Sequence, residues 1–225
     1  GGLANMLSSL GSAISSMGCD VRIVIPRYYR IDRKSLKAIP GVLVCNIGNE
    51  EYFTQVYETN IPNSKAIVYF IDYEKYFGRD GVYGNATEQE FQDNPARYSL
   101  LSHAALQVCL KQNWMPDIIH VHDWQACLAP VLVKYCPQYS SFAKVKTVLT
   151  IHNIGYQGVY SKEHYHSTGL DWNVFYASGF EDYDRINFLK AGVSSADKIT
   201  TVSPTYSEQI KTCLLYTSDA AEELL

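Results

Sequence analysis

The chain reads as an α/β protein built on a doubly wound, largely parallel sheet. Three observations predict this. Short runs of strand-forming residues alternate with helix-period segments through most of the 225 residues, the pattern that parallel crossovers leave in a sequence. Two of those runs, 116–124 (Pro-Asp-Ile-Ile-His-Val-His-Asp-Trp) and 146–153, end in polar clusters. The first cluster is followed at once by a helix-like stretch, Gln125 to Tyr135. In open α/β sheets ligands collect outside the carboxyl ends of the strands, so both clusters are expected on one edge of one sheet. His120, His122, Asp123, His152 and Asn153 are therefore the first candidates for chemistry.

Taken in order, the chain opens with Gly1-Gly2-Leu3, and Leu3, Met6, Leu7, Leu10, Ile14 and Met17 then recur at three- and four-residue steps, one face of a helix. Gly18 closes it, and residues 20–25 form a strand that stops at Pro26. A glycine pair at a helix start lets backbone N–H groups approach a ligand, and the helix dipole there favours phosphate. Between Gly41 and Ile71 the strand-formers Val42 to Cys45, Tyr52 to Tyr57 and Ala66 to Ile71 predict a hairpin and a further core strand. Gly78, Gly81 and Gly84 break any period over residues 76–87, which read as a long, functional type of loop. Asp93 and Asn94 offer an N-cap and Pro95 a first helical position for a helix to about Gln112, with Leu100, Leu101, Ala104, Ala105, Val108 and Cys109 on its apolar face. After the second polar strand end, residues 161–183 carry aromatics without a period and predict irregular cover. Tyr183 to Ala196 is expected to be a helix, residues 198–202 a last strand, and Ser203-Pro204 the cap of a final helix toward Lys211. The tail from Cys213 to Leu225 continues no earlier pattern.

Composition excludes several classes. The chain is 47% hydrophobic and 19% charged, with a formal net charge of -4, and this offers no basic footprint for nucleic acid. No apolar run approaches the length of a membrane span and no leader pattern is present. Six cysteines without C-x-x-C spacing read as reduced core residues of a cytosolic protein. Eighteen tyrosines are mostly packing groups, and they also suit sugar-binding faces.

His120-x-His122 followed by Asp123 invites a metal reading, because alternate imidazoles after a strand begin many metallohydrolase sites. Strict alternation would turn Asp123 to the opposite side, and the other histidines show no ligand spacing, so no metal is expected. His120 has an ordinary alternative as a core histidine bonded to a neighbouring backbone group, and Asp123 as the N-cap of the next helix. His152 and Asn153 donate and accept hydrogen bonds as a polyhydroxylated ligand requires. No serine or cysteine sits on a nucleophile elbow.

The set formed by Gly-Gly-Leu at the helix start, His-Val-His-Asp-Trp at 120–124, Thr-Ile-His-Asn-Ile-Gly-Tyr-Gln-Gly at 150–158 and the block from Lys190 to Tyr206 resembles the bacterial glycogen synthase and plant starch synthase family. The segment from Arg79 to Gly84 and Asp93-Asn94 with Arg97 fit the same pattern, and the resemblance covers residues 1–212. It implies the N-terminal, acceptor-side Rossmann-like half of a GT-B glycosyltransferase. Such enzymes are retaining, pass glucose from ADP-glucose or UDP-glucose to the non-reducing end of an α-1,4-glucan, and need neither metal nor other cofactor. By motif match, Gly1 and Gly2 approach the donor diphosphate, Asp123 is the sensitive aspartate of the cleft, His152 contacts the transferred glucose, Asn153 assists sugar binding and Tyr83 is an aromatic on the glucan or donor side. The family's lysine before Gly1, its central first strand and its C-terminal nucleotide-binding domain are not in this sequence. The resemblance thus makes the chain a fragment, marginally stable and inactive alone, from a cytoplasmic or plastid enzyme. A glucan-binding module without catalysis, a metallohydrolase and a sucrose-linked GT-B transferase are the competing readings.

Overall fold

The computed structural model describes residues 2–214, the last three in backbone only. The chain folds into two compact units, Gly1–Cys45 with Tyr52–Gln92, and Asn46–Glu51 with Asp93–Leu225.

In the first unit, helix α1 (Gly2–Ser16) half-buries Leu3, Met6, Leu7, Leu10 and Ile14 of the anticipated face, while Met17 lies past its end and is exposed, just before Gly18, whose φ is +93°. Strands β1 (Arg22–Pro26), β2 (Lys37–Ala38), β3 (Leu43–Ile47), β4 (Glu50–Asn60) and β5 (Ile67–Asp72) form one sheet in the order β1-β5-β4-β2, with β3 paired to β4. Among the described residues β1 pairs on one side only, parallel to β5, while β4 runs antiparallel to β5. Ile61, Ala66, Val68 and Phe70 are the buried centre, with Ile23 and Ile25 packed against them. Gly11 admits α1 to this core, since a Cβ there would meet Ile23 Cδ1 at 2.8 Å. Helix α2 (Glu74–Phe77) adds a single turn, too short to leave a period in the sequence. The glycine-broken loop follows it and carries Tyr83.

The second unit holds the strands that carry the polar clusters. Helix α3 (Asn94–Lys111) starts at the predicted Asp93-Asn94-Pro95 signal and is buried on more than one face, including Arg97, Tyr98 and His103. Strand β6 (Ile118–His122), a short 3-10 turn over Trp124–Ala126 and helix α4 (Leu128–Tyr135) replace the single helix expected from Gln125. Strand β7 (Lys146–Ile151) lies between β6 and β11 (Lys198–Thr201), all parallel, with Val121 opposite Leu149 and Leu149 opposite Ile199. β7 buries four of its six residues, as a central parallel strand must. Among the described residues β6 is the edge of this ladder. Strands β8 (Val159–Ser161), β9 (Glu181–Asp182) and β10 (Arg185–Asn187) make a small antiparallel sheet, and the irregular cover between them is 3-10 turns at Lys162–Thr168 and Trp172–Val174. Helix α5 (Phe188–Ser195) packs on the α4 side, where Gly192 lets Cys127 approach: a Cβ at 192 would stand 2.5 Å from its sulfur. Helix α6 (Pro204–Leu214) opens as predicted, Ser203 Oγ accepting from Tyr206 N–H at 3.1 Å.

The helix expected from Tyr183 begins instead at Phe188. Tyr183 and Asp184 take φ of 50° and 62°, making a tight turn between β9 and β10 that the residue types do not advertise. Asn187 then caps α5 by accepting from Lys190 N–H at 2.9 Å. Cys45 and Cys127 are buried thiols and Cys19 is exposed. The tail expected from Cys213 falls outside the described residues beyond Leu214.

Buried His103 supplies a stability switch within this unit. Its Nε2 meets the Thr168 carbonyl at 2.9 Å and must donate, so Nδ1 accepts from Tyr139 Oη–H at 2.8 Å. Burial pushes its pKa down to about 4, against about 6.5 in an unfolded chain. Between those two values only the unfolded state takes the proton, so stability falls as pH falls from about 6.5 to 4 and is whole above that window. The shift is worth about 3 kcal/mol. Urea unfolding at pH 7.5 and pH 4.5 is expected to show a loss of that order, and a His103→Gln variant a smaller one; equal losses in both would remove His103 as the cause.

Candidate active site

Both polar clusters stand at the carboxyl ends of neighbouring parallel strands, β6 and β7. The hydrophobic runs behind them secure this placement, since a parallel pair aligned at Val121 and Leu149 must emerge together at His122 and Thr150.

Asp123 departs from what alternation predicts. Its backbone adopts φ 56° and ψ −179°, a region almost reserved for glycine that costs about 1–3 kcal/mol for other residues. The ladder continues through it, its N–H donating to the Thr150 carbonyl at 3.0 Å. The strained turn swings the carboxylate across to the end of β7. There Oδ1 accepts from the backbone N–H of His152 at 2.7 Å and of Asn153 at 3.4 Å. The side chain makes no cap bond to the turn at Trp124–Ala126, so the N-cap reading fails for it. Among the described residues Oδ2 has no partner, and it remains an acceptor for a ligand.

His152 joins the second histidine of the first cluster. His122 Nδ1 and His152 Nε2 are 3.1 Å apart. His120 stacks on His122 with ring centres 4.4 Å apart, and its Nε2 meets Thr150 Oγ1 at 2.6 Å, so its partner is a side chain and not the backbone expected. Thr150 Oγ1 in turn meets Thr200 Oγ1 at 2.6 Å. Partial burial, with His120 and His152 close by, pushes the His122 pKa down to about 3 and keeps that ring neutral at ordinary pH. Among the described residues no group of three or more His, Cys, Asp or Glu is arranged to hold a metal ion.

Beside this network lies an open pocket of about 470 Å³ lined by His152, Asn153, Val202, Ser203, Thr205, Tyr206 and Gln209. Asn153 is exposed and its Oδ1 accepts from Gly155 N–H at 2.9 Å, leaving its amide N–H₂ as the donor for a ligand. Tyr206 Oη accepts from Ile154 N–H at 2.8 Å and ties the loop after β7 to α6. Ser203, Tyr206 and Gln209 carry no mark of a site in the sequence; the cue is their place just after the third parallel strand, β11. Gly158 packs its backbone against Trp124, with φ +66°.

The remaining candidates fall elsewhere. Tyr83 belongs to the first unit, is exposed, and holds its loop by accepting from Phe91 N–H at 2.8 Å. Gly2 begins α1 with nothing within 4 Å of a Cβ placed there, which leaves room for a ligand at the helix start. Gly1 lies outside the described residues. No described helix is long and apolar enough to cross a membrane.

Comparison with known proteins places these features in a family. A family model described as the starch synthase catalytic domain matches residues 1–220. A glycogen synthase of Treponema denticola is 57% identical over 211 residues, covering 94% of this chain and 43% of that protein. Glycogen synthase 1 of Geobacter metallireducens is 38% identical over 218 residues, with the same coverage. The catalytic domain of starch synthase IV from Arabidopsis thaliana, bound to ADP and acarbose, superposes with a TM-score of 0.86 at 27% identity, covering all of this chain and 47% of that one. This chain therefore spans less than half the length of the relatives it matches. Its α/β fold and parallel strands agree with the Rossmann-like N-terminal half expected of a GT-B enzyme. With nearly its whole length matched by one family model and its fold by a member's catalytic domain, the chain belongs to the starch synthase catalytic domain family.

Proposed function

We propose that this chain is the acceptor-side part of a retaining glucosyltransferase that moves glucose from ADP-glucose, or UDP-glucose, to the non-reducing end of an α-1,4-glucan. The observation that carries the reading is the junction of Asp123 and His152 across the ends of β6 and β7, beside an open pocket, in a chain of this family. Residues 1–212 are the acceptor-side domain, and the nucleotide site belongs to a C-terminal domain outside this sequence. The enzyme works in the cytoplasm, or in a plastid where the source has one.

Glucosyl transfer passes through an oxocarbenium-like state, in which positive charge grows at the anomeric carbon as the diphosphate departs. Fixed lone pairs and dipoles stabilise that charge better than a mobile base would. His152 and Asn153 bind the sugar from the end of β7. Asp123 acts on both, because its Oδ1 pins their backbone N–H groups while Oδ2 is free to take a sugar hydroxyl. By motif match Gly1 and Gly2, the second of which begins α1, bring backbone amides and the positive helix end to the departing diphosphate. Tyr83 supplies an aromatic face for glucan or donor. None of these steps calls on a metal or another cofactor.

The test is incorporation of labelled glucose into glycogen by the full-length protein, run with each donor. Label that an α-1,4-specific glucanase releases supports the reading. A folded protein that binds glycogen without turnover would put the glucan-binding reading in its place.

A further inference from the structure

We infer that His122 is a positioning residue, which accepts a hydrogen bond from His152 Nε2–H and so holds His152 in the tautomer whose Nδ1 is a lone-pair acceptor. The inference rests on the proposed role of His152 and deepens it, by assigning which ring nitrogen meets the substrate and in what form.

The contact itself leaves two arrangements. A contact of 3.1 Å between two imidazole nitrogens holds one proton, so either His152 donates through Nε2 or His122 donates through Nδ1. In the first case both rings carry their proton on Nε2, the form that a free neutral histidine side chain prefers. In the second both must carry it on Nδ1, the less favourable form, twice over. No other partner among the described residues offsets that cost at His152. The first arrangement therefore prevails, and it leaves His152 Nδ1 unprotonated and unpartnered beside the pocket that His152 lines.

The surroundings of His122 suit an acceptor with a fixed direction. Its ring is held between His120, stacked at 4.4 Å and 29°, and His152, at 5.4 Å between ring centres. His120 is anchored by the Thr150 and Thr200 hydroxyls, so the stack cannot easily turn. Burial keeps His122 uncharged well into acid, and an uncharged Nδ1 stays available as an acceptor. Orientation of a liganding histidine by its second ring nitrogen is a general device, and here it makes His152 a reader of donors. Its Nδ1 accepts a hydrogen bond from a sugar hydroxyl and cannot donate one, which selects a hydroxyl-bearing face over an acceptor such as a ring oxygen.

The test uses histidine-selective 15N NMR and steady-state kinetics on the full-length protein, with His152 signals assigned by their loss in His152→Ala. Wild type is expected to show His152 with an unprotonated Nδ1 and a protonated Nε2. His122→Phe keeps a ring but no acceptor, and is expected to give a mixed tautomer with kcat lowered about tenfold or more and KM changed by less than twofold. His122→Asn places a carbonyl oxygen near the position of Nδ1, and is expected to recover the wild-type tautomer and a kcat above that of His122→Phe. Nδ1–H on His152 in wild type, or an unchanged tautomer in His122→Phe, overturns the inference. Absence of turnover in wild type would count against the glucosyltransferase reading alone, because the tautomer is read without turnover. Should His122→Phe fail to fold, the wild-type spectrum and His122→Asn still decide.

Discussion

On the proposed glucosyltransferase reading, replacing Asp123 with alanine in the full-length protein is expected to lower kcat by about two orders of magnitude, because the carboxylate holds the loop that carries His152. Its Oδ1 receives two backbone N–H groups, at 2.7 and 3.4 Å, at the point where β7 ends. Hydrogen bonds to a charged group contribute about 1.5–3 kcal/mol, and misplacing a catalytic group by about 1 Å costs about 10²-fold in rate. Alanine also inherits the strained φ of 56° without the bonds that justify it, so a stability loss of about 1–3 kcal/mol should accompany the kinetic one. Asp123→Asn keeps an oxygen for the two amides and is expected to fall between wild type and Asp123→Ala in both measures. Urea unfolding and initial rates separate the two effects. An Asp123→Ala enzyme within threefold of wild type would show that the β7 loop holds itself.

Gly158→Ala is expected to be the most damaging small substitution in the second unit. A Cβ at this position would lie 2.3 Å from Trp124 Cε3 and 2.6 Å from Cδ2. Trp124 cannot withdraw freely: it is 3% exposed and its ring meets Tyr98 at 5.1 Å, Tyr160 at 5.7 Å and Phe188 at 5.9 Å. The φ of +66° adds a left-handed penalty of about 1–2 kcal/mol for any L side chain, and overpacking a filled core adds about 1–3 kcal/mol. Together about 2–5 kcal/mol would be lost, a large part of the roughly 5–15 kcal/mol that holds a typical protein together. Because Trp124 follows Asp123 directly, the shift reaches the site as well, and activity at low temperature should drop with stability. A loss below about 1 kcal/mol would mean that the aromatic cluster repacks around the methyl group.

The parallel strands were legible because each is a short apolar run that stops at a polar group, and that pattern needs no tertiary information. Their adjacency at His122 and Thr150 followed from the same runs. The geometry of Asp123 was not legible, since a left-handed aspartate is stabilised by amides 29 and 30 residues away and has no local signature. The meeting of His122 with His152 was hidden for the same reason: spacing within each cluster says nothing about a contact between clusters. The pair His120-x-His122 invited a metal reading that strict alternation, by turning Asp123 away, argued against; that the rings engage Thr150 and His152 is a contact no spacing announces. The turn at Tyr183-Asp184 escaped because the pair lacks the glycine that marks most two-residue hairpins, and the apolar residues from Ile186 onward continued a helical period. Division of the chain into two units, with Asn46–Glu51 grouped with its later part, is a property of packing that no run of residues records.

The central claim is that the ends of β6 and β7 carry out glucosyl transfer. Its most direct test is the rate of labelled glucose incorporation from ADP-glucose into glycogen by the full-length protein and its His152→Ala variant, both shown to be folded. The account predicts robust incorporation by the parent and a loss of about 10²-fold or more in the variant, as expected when a group that stabilises transition-state charge is removed. Incorporation by His152→Ala at the parent's rate would contradict it.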